Sequence, residues 1–443
     1  MSTLVRTLRS RDLLLLFVGT VIGSGIFLTP GVILQQVGGS VGVSVLVWLF
    51  GGFLSVLGAL TYAELAAANP EAGGLYCYIR DGFGRLPAFL YGWSLFLVIA
   101  SGAVAALTRA FTQYLAELIP LSSRGATVIG VLMIGVLTAA NVWGTRKSSD
   151  VQNWTTLIKL TLVAALSAAL LLWGRHFADL RPALAPTQHG ASLFSNFGLA
   201  MITVLWVYEG WQFATCSAGE VVEPQKSFPR AFLAGSVVLI GLYLIAVVSY
   251  LVALGPAAAQ SSGAIAASSA RAVLGPWAGR VISLTVLVAT FSAANGTILT
   301  TPRVFYAMAR DGLFFRKLAD VHPRFHTPAV AVVALGVWSA VLACVGNFVQ
   351  LITGVIFIAW IFHGLAAASI FPMRRMNSIE KLPYCVPGYP WTPFLFILAA
   401  AALVLNAIYL ALHSPDGFIH ITIAILIFGL GVPMYFFWRQ KSP

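Results

Sequence analysis

Long stretches of apolar residues dominate the chain, and short polar stretches separate them. A helix that crosses the hydrocarbon of a bilayer needs about 20 predominantly apolar residues. This pattern predicts an all-α integral membrane protein with twelve transmembrane helices. Their approximate positions are residues 12–34, 41–67, 87–118, 126–143, 152–174, 194–219, 230–254, 277–309, 327–345, 348–371, 391–412 and 417–438.

The first segment follows Arg6, Arg9 and Arg11, and a basic stretch before an apolar one also begins a secretory signal peptide. This apolar run is too long for a signal peptide, and no small-residue cleavage pattern follows it. We therefore expect a retained transmembrane helix.

Composition agrees with a membrane protein, since 59% of the 443 residues are hydrophobic and only 9% are charged. The net charge of +12 could suggest nucleic acid as a partner. However, most of the 26 lysines and arginines fall on the side of the twelve segments that carries both termini. This is the positive-inside asymmetry of helical membrane proteins. It predicts cytoplasmic N- and C-termini, a location in the plasma (inner) membrane, and the lipid bilayer rather than nucleic acid as partner.

Motifs for several kinds of chemistry are missing from the sequence. The four cysteines are scattered, without a CxxC pair or a histidine at metal-binding spacing. No nucleotide-binding P-loop and no G-x-S-x-G or H-E-x-x-H motif is present. We therefore predict no cofactor, no metal, no enzymatic activity and no ATP-driven transport by this chain alone.

Two of the apolar segments are interrupted at corresponding places. The first contains VGTVIGSGIFLTPG at residues 18–31, and the sixth contains Tyr208, Glu209 and Gly210 about 185 residues after the first interruption. The third and eighth segments are both unusually long. Glycine also serves close helix packing, but interruptions at matching positions of two halves are the best sequence indicator of a transporter's substrate site.

The spacing predicts a single transmembrane transporter domain built from two copies of a five-helix unit. Residues 12–174 form the first copy and residues 194–371 the second, which is inverted because five crossings are an odd number. Residues 391–438 form the peripheral helices 11 and 12.

An interrupted helix has a definite binding chemistry inside a membrane. Unpaired backbone groups persist there only where they line a cavity or meet a ligand. The free N–H groups of a half-helix that begins near Gly25 suit a carboxylate, and the carbonyls of one that ends near Ile22 suit an ammonium group. An α-amino acid carries both charges, so it is the predicted substrate.

The predicted substrate-binding residues belong to the two interruptions. They are Ile22, Gly23, Ser24, Gly25, Ile26, Trp206, Tyr208, Glu209, Gly210 and Phe213. Small residues of the third segment (Ser101, Gly102 and Ala103) and polar residues of the eighth (Ser292 and Asn295) are the other predicted walls.

Several motifs in order along the chain resemble one known family. Besides residues 18–31, these are ALTYAEL at 59–65, EAGGLYCY at 71–78, WVYEGW at 206–211, GEVVEP at 219–224 and ANGTILTTPR at 294–303. They resemble the amino acid-polyamine-organocation superfamily, specifically its L-amino acid transporter (light-chain) branch. The resemblance implies the leucine-transporter-type fold, with a 5+5 inverted repeat, broken helices 1 and 6, and amino acid exchange or uptake.

The resemblance also implies roles for single residues. Ser24, Gly25 and Ile26 resemble the backbone site for the substrate carboxylate. Trp206 resembles an aromatic residue that closes over the substrate. Lys159 resembles a lysine whose ammonium replaces a sodium ion, and Tyr243 resembles a tyrosine near the first break. The predicted gating and coupling residues are Trp206, Lys159, Tyr243, Glu209, Ser292 and Asn295.

The chain departs from the mammalian light chains in two ways. The loop at residues 120–124 lacks the cysteine that joins those chains to a heavy-chain glycoprotein, so we expect no disulfide-linked heavy chain and a stand-alone prokaryotic protein. Glu209 replaces a small residue. It could pair with the substrate ammonium, carry a proton, or pair with Lys159. Together with Arg109, these two residues are the predicted charged groups inside the membrane segments, where such groups are usually functional.

The predicted function is a sodium-independent exchanger (antiporter) of small to mid-sized neutral L-amino acids that works by alternating access. A cationic amino acid or polyamine antiporter and a proton-coupled symporter remain alternatives. A channel or a membrane receptor would belong to a different class. The sequence shows neither a continuous polar path nor a signalling domain.

Overall fold

A computed structural model describes residues 4–187, 189–345, 348–376, 382–412 and 417–441. The described residues are almost entirely helical and contain no strand. A single isolated parallel bridge joins Leu8 to Val221. The predicted all-α architecture is therefore confirmed for the part of the chain that is described.

The α-helices follow one another with short connections. They are α1 (Ser10–Val21), α2 (Gly25–Gln36), α3 (Val41–Ala68), α4 (Leu75–Phe83), α5 (Arg85–Ser94), α6 (Ala100–Ala116), α7 (Ser123–Val142), α8 (Thr145–Trp173), α9 (Phe177–Leu180), α10 (Ala191–Val207), α11 (Pro224–Leu254), α12 (Pro256–Gln260), α13 (Ile265–Leu274), α14 (Ala278–Thr300), α15 (Pro302–Arg310), α16 (Ala329–Val345), α17 (Phe348–Ala368), α18 (Ile370–Met376), α19 (Trp391–Leu412) and α20 (Gly417–Lys441). Short 3₁₀-helices lie at Pro182–Leu184, Trp211–Glu220 and Arg316–Ala319, and a π-helix lies at Leu95–Ile99.

Seven helical stretches in the described residues are long and apolar enough to cross a bilayer. An eighth is obtained if α1 and α2, which are bent by 49° at their junction, are taken as one broken span. The protein is therefore a multi-pass membrane protein. The seven stretches are Val41–Ala68, Arg85–Ala116, Ser123–Val142, Thr145–Trp173, Ser192–Glu220, Pro224–Leu254 and Ala278–Arg310.

The observed helices differ from the apolar segments mainly at their polar ends. The segment predicted at 152–174 begins earlier, at Thr145, because α8 continues through a polar first turn that hydropathy does not recognise. The short helix α13 lies between the segments predicted at 230–254 and 277–309, where the sequence predicts no helix. The segment predicted at 194–219 is divided between α10 and a 3₁₀-helix.

The two longest predicted segments are long in the structure as well. The stretch Arg85–Ala116 has 32 residues, and the stretch Ala278–Arg310 has 33. The first contains the π-helix, which lies directly before α6. The Ser101 hydroxyl donates to the carbonyl of Phe96 across this wider turn, at 2.7 Å. Single π-turns inside α-helices occur frequently at functional sites.

The first broken span lies at the centre of the molecule. Helix α1 packs against α8, α11, α14 and the 3₁₀-helix Trp211–Glu220. Beside it, the buried rings of Trp48, Tyr208 and Tyr243 form an aromatic cluster with centroid separations between 5.0 and 6.1 Å. The two broken segments therefore lie in a closely packed interior.

Buried charges are more numerous than the three that we predicted. Glu64 on α3 and Arg303 on α15 both lie fully buried within spanning stretches. Arg303 binds Glu220 through its Nε at 2.6 Å, and Arg374 binds Glu64 at 2.7 Å. Glu64 and Arg303 thus each have an oppositely charged partner, which offsets part of the cost of burying the charge.

Candidate functional site

The first interruption lies where the sequence predicts it. Helix α1 ends at Val21, α2 begins at Gly25, and Ile22 between them has extended backbone angles. A Cβ built on Gly25 would lie 3.0 Å from both methyl carbons of Val207 and 3.2 Å from the ring of Trp206. Glycine at position 25 therefore allows the second broken segment to approach the first.

The second interruption follows Val207, the last residue of α10. Gly210 adopts a φ of +123°, a region that L-residues with side chains rarely occupy. A Cβ at Gly210 would also lie 2.7 Å from the carbonyl oxygen of Thr20. The two interruptions thus contact each other, each through a glycine.

The carbonyl end of α1 already has hydrogen-bond donors from the protein. The buried ammonium Nζ of Lys159 donates to the carbonyl oxygen of Gly19 at 2.5 Å and to that of Ile22 at 2.8 Å. The hydroxyl of Tyr243 lies 3.3 Å from the carbonyl oxygens of both Val21 and Val207. Lys159 therefore supports the first interruption, and Tyr243 joins the two interruptions.

The opposite side of the first interruption is the N-terminal end of α2. The first N–H groups of a helix have no acceptor within the helix. The hydroxyl of Ser24 is buried and has no hydrogen-bond partner among the described residues. These groups, together with the positive end of the helix dipole, form an environment that suits an anion.

A cavity of about 80 Å³ lies between the interruptions and the middle of two long helices. Apart from Thr297, its lining residues on the two long helices are apolar. Its lining residues are Thr20, Val21, Gly23, Ser24, Gly25, Ile99, Ala103, Ala106, Leu107, Trp206, Val207, Glu209, Gly210, Phe213, Ala293 and Thr297. Seven of the ten predicted substrate-binding residues line this cavity.

Glu209 is the one charged residue among those that line the cavity. Its carboxylate accepts a hydrogen bond from the side-chain amide of Gln212. The ring Nε2 of His363, on α17, lies 3.5 Å from the same carboxylate. No ion pair forms between Glu209 and Lys159 among the described residues, so the pairing that we considered from sequence is not present.

The other predicted site residues lie outside the cavity. Ile22 and Ile26 are fully buried in the apolar core. The Tyr208 ring packs against Trp48 and Tyr243, and its hydroxyl donates to the Trp48 carbonyl at 3.3 Å. Of the predicted small residues on the third segment, only Ala103 lines the cavity, and Ser101 bonds to its own helix.

Ser292 and Asn295 on α14 face neighbouring helices, not the cavity. The Asn295 amide accepts from Asn141 at 2.9 Å and donates to Gln152 at 2.9 Å. The Ser292 hydroxyl lies 3.0 Å from that of Thr155. Gln152 and Thr155 thus join α8 to α14, and Asn141 joins α7 to α14.

Sequence reasoning missed this network and several lining residues. A polar stripe on α8 could have indicated the network: it consists of positions 148, 152, 156 and 159, which are three or four residues apart. Residues at that spacing share one helix face. Thr20, Ala106, Leu107, Ala293 and Thr297 gave no comparable signal, because nothing in their types separates them from ordinary packing residues. Among the described residues, no group of histidine, cysteine, aspartate or glutamate is arranged to hold a metal ion.

Fold and site together define a helical membrane protein with a small internal cavity at two interrupted helices. Comparison with known families gives the same class, since residues 9–431 match the amino acid permease family. The chain belongs to this family, which confirms the resemblance seen in its motifs. It is a transport protein and not an enzyme.

Individual relatives cover nearly the whole chain. The serine/threonine exchanger SteT of Bacillus subtilis is 32% identical over 432 residues, which are 97% of this chain and 96% of that protein. The b(0,+)-type amino acid transporter 1 of Rattus norvegicus is 30% identical, over 96% of this chain and 88% of that protein. The Asc-type amino acid transporter 1 of Homo sapiens is 29% identical, over 96% of this chain and 81% of that protein.

Proposed function

We propose that this protein is a sodium-independent exchanger of small neutral L-amino acids. The observation that carries the proposal is the cavity between two interrupted helices, with helix N–H groups and the Ser24 hydroxyl on one side. A zwitterion fits this arrangement, because its carboxylate can accept from the N–H end of α2. The relation to a serine/threonine exchanger supports exchange as the mode of transport.

The ammonium of Lys159 supports independence from sodium. It lies against the carbonyls of Gly19 and Ile22, where a bound cation would otherwise be coordinated. The substrate ammonium then needs another acceptor, and the carboxylate of Glu209 is the charged acceptor on the cavity wall.

The small side chains on the cavity wall support a small substrate. Three alanines at positions 103, 106 and 293 line the cavity opposite the interruptions. The cavity of about 80 Å³ is smaller than the roughly 300–1,000 Å³ that is usual for drug-sized ligands. Serine, threonine and alanine are the substrates that we expect to be exchanged fastest.

We further propose the architecture that the sequence predicts. Twelve helices form one transporter domain, with residues 12–174 and 194–371 as inverted five-helix repeats and 391–438 as two peripheral helices. Residues 346–347 and 413–416, within these ranges, lie outside the described residues. The positive-inside rule supports cytoplasmic termini and insertion in the plasma membrane. The protein acts without a disulfide-linked heavy chain.

Exchange can be tested with the purified full-length chain in proteoliposomes loaded with labelled L-serine. We expect efflux only when an external amino acid is present, with serine, threonine and alanine most effective. Replacing sodium chloride with choline chloride should leave the rate unchanged. Uphill accumulation into empty vesicles, driven by a pH gradient, would instead establish a proton-coupled symporter.

Glu209 favours a second candidate, exchange of cationic amino acids. Its carboxylate, next to the cavity, could meet a second positive charge on the substrate. Lysine and arginine should then compete with labelled serine, and Glu209→Gln should abolish that competition while part of the serine exchange remains. If external lysine and arginine have no effect on the unmodified protein, this candidate is excluded.

A further inference from the structure

A second and much larger cavity lies near the first turns of α1 and α8. Its volume is about 680 Å³, and it is separate from the cavity at the interrupted helices. Four arginines and two aspartates are among its lining residues. The full lining is Arg6, Thr7, Arg9, Arg11, Asp12, Arg146, Asp150, Asn153, Trp154, Leu157 and Val222.

Both aspartates of this cavity are engaged by neighbouring groups. Asp12 accepts from the backbone N–H of Arg9 at 2.8 Å, from Arg146 at 2.8 Å and from Asn153 at 2.6 Å. Asp150 accepts from Arg146 at 2.6 Å. One arginine therefore serves both carboxylates, and these bonds fix the base of the cavity.

The guanidinium groups of Arg6, Arg9 and Arg11 remain without a carboxylate partner. All three side chains are exposed, and none forms an ion pair within the described residues. Four arginines and two aspartates line the cavity, so its lining has two more positive charges than negative ones. A guanidinium presents donors in a fork that matches the oxygens of a phosphate.

The position of the cavity relative to lipid follows from the outer face of α8. Val151, Trp154 and Ile158 are exposed apolar residues at helical spacing, with Trp154 69% exposed. They begin about one and a half turns after Arg146. Tryptophan is enriched at the membrane–water interface. The arginines thus lie at the level of the lipid head groups, at the point where α8 enters the hydrocarbon.

We propose that this cavity is a binding site for the phosphate of an anionic phospholipid. The free guanidiniums of Arg6, Arg9 and Arg11 hold the head group, and the acyl chains lie along the apolar face of α8 that begins at Val151 and Trp154. Basic pockets at the edge of a bundle of membrane helices recognise anionic head groups in this way. A soluble phosphate would satisfy the arginines but would leave the apolar stripe without an occupant.

The test is native mass spectrometry of the full-length protein in a neutral detergent, titrated with phosphatidylglycerol or phosphatidylcholine. We expect phosphatidylglycerol to be retained preferentially and to raise the Tm. The triple variant Arg6→Gln, Arg9→Gln, Arg11→Gln should bind it roughly a hundredfold more weakly, at about fivefold per arginine. The corresponding triple lysine variant keeps the charge but loses the forked donors, so its affinity should lie between those of the unmodified protein and the glutamine variant.

A matched control removes three exposed arginines elsewhere. Arg175, Arg181 and Arg280 do not line the cavity. The first two follow the other end of α8, roughly 43 Å away at 1.5 Å per residue. Glutamine at these three positions changes the net charge equally and should leave phosphatidylglycerol binding unchanged.

Three results would overturn the assignment. One is an equal loss of binding in both glutamine triples, which would indicate a general charge effect. Another is equal retention of phosphatidylglycerol and phosphatidylcholine by the unmodified protein. The third is that inorganic phosphate or glycerol phosphate displaces the lipid and gives the same rise in Tm, which would indicate a site for soluble phosphate.

Discussion

The ammonium Nζ of Lys159 lies 2.8 Å from the carbonyl oxygen of Ile22, the residue at which the first membrane helix loses its helical backbone. The same ammonium lies 2.5 Å from the carbonyl oxygen of Gly19. A helix end inside a membrane needs donors for its last carbonyls. Lys159 supplies them from a neighbouring helix, so the break depends on a side chain about 140 residues away.

Replacement of Lys159 by alanine should therefore reduce transport far more than it reduces expression. It leaves two buried carbonyls without their donor, at about 1–3 kcal/mol for each unsatisfied group. We expect at least a tenfold lower rate of serine exchange per reconstituted protein. Lys147→Ala is the matched control, because Lys147 is exposed on the same helix. Equal exchange rates for the two variants would contradict this role of Lys159.

Tyr243→Phe removes one hydroxyl and keeps the aromatic packing against Trp48 and Tyr208. Because that hydroxyl lies 3.3 Å from a carbonyl of each broken segment, its loss should uncouple their movements. We expect the maximal exchange rate to fall several-fold with little change in protein stability. Tyr250→Phe on the same helix is the control, since the buried Tyr250 hydroxyl has no partner among the described residues. The hypothesis fails if both variants slow exchange equally.

Trp206 should contribute to substrate affinity through its ring, which borders the cavity. Burying a large apolar side chain contributes roughly 1.5–3 kcal/mol, and bound substrate would cover the part of the Trp206 ring that faces the cavity. Trp206→Ala should therefore raise the KM for serine by about tenfold or more, whereas Trp206→Phe should keep it within a few-fold. Trp277→Ala, at a 61% exposed position, controls for loss of a tryptophan. Identical KM values for the alanine and phenylalanine variants at position 206 would refute this role.

Two glycines of the first break should respond differently to alanine. A Cβ at Gly25 meets both methyl groups of Val207 and the ring of Trp206 at 3.0–3.2 Å, whereas a Cβ at Gly23 meets one flexible Leu107 methyl at 3.3 Å. Gly25→Ala should nearly abolish exchange, and Gly23→Ala should retain a substantial part of it. Initial rates in proteoliposomes, with the amount of folded protein checked by size-exclusion chromatography, provide the measurement. The reverse order of severity would contradict the observed packing.

Sequence alone predicted the breaks well because their cause is local. The Gly-Ser-Gly at residues 23–25 and Gly210 are residue types with a strong backbone effect, and each stands within an apolar run. Hydropathy likewise located the seven or eight stretches of the described residues that are long and apolar enough to cross a bilayer, since the bilayer imposes their length. The same reasoning missed the polar first turn of α8 and the whole of α13, because short or polar helical stretches have no such constraint.

The orientation of side chains within buried helices could not be predicted. Helix α14 is buried over almost its entire length. Its sequence therefore shows no clear difference between an apolar face and a polar face. Ser292 and Asn295 were therefore assigned to the cavity, although the structure directs them to α8 and α7. Ala293 and Thr297, on the same helix, line the cavity instead. Only the packing of neighbouring helices determines this difference.

The close approach at Gly25 has a consequence for directed evolution of the protein. A side chain at position 25 would begin 3.0–3.2 Å from Val207 and Trp206, so we expect many inactive clones in a mutant library that includes this position. Ala103, Ala106 and Ala293 border the same cavity without belonging to either break. A library restricted to these three alanines would vary the room for the substrate side chain and leave the main-chain groups at the breaks intact.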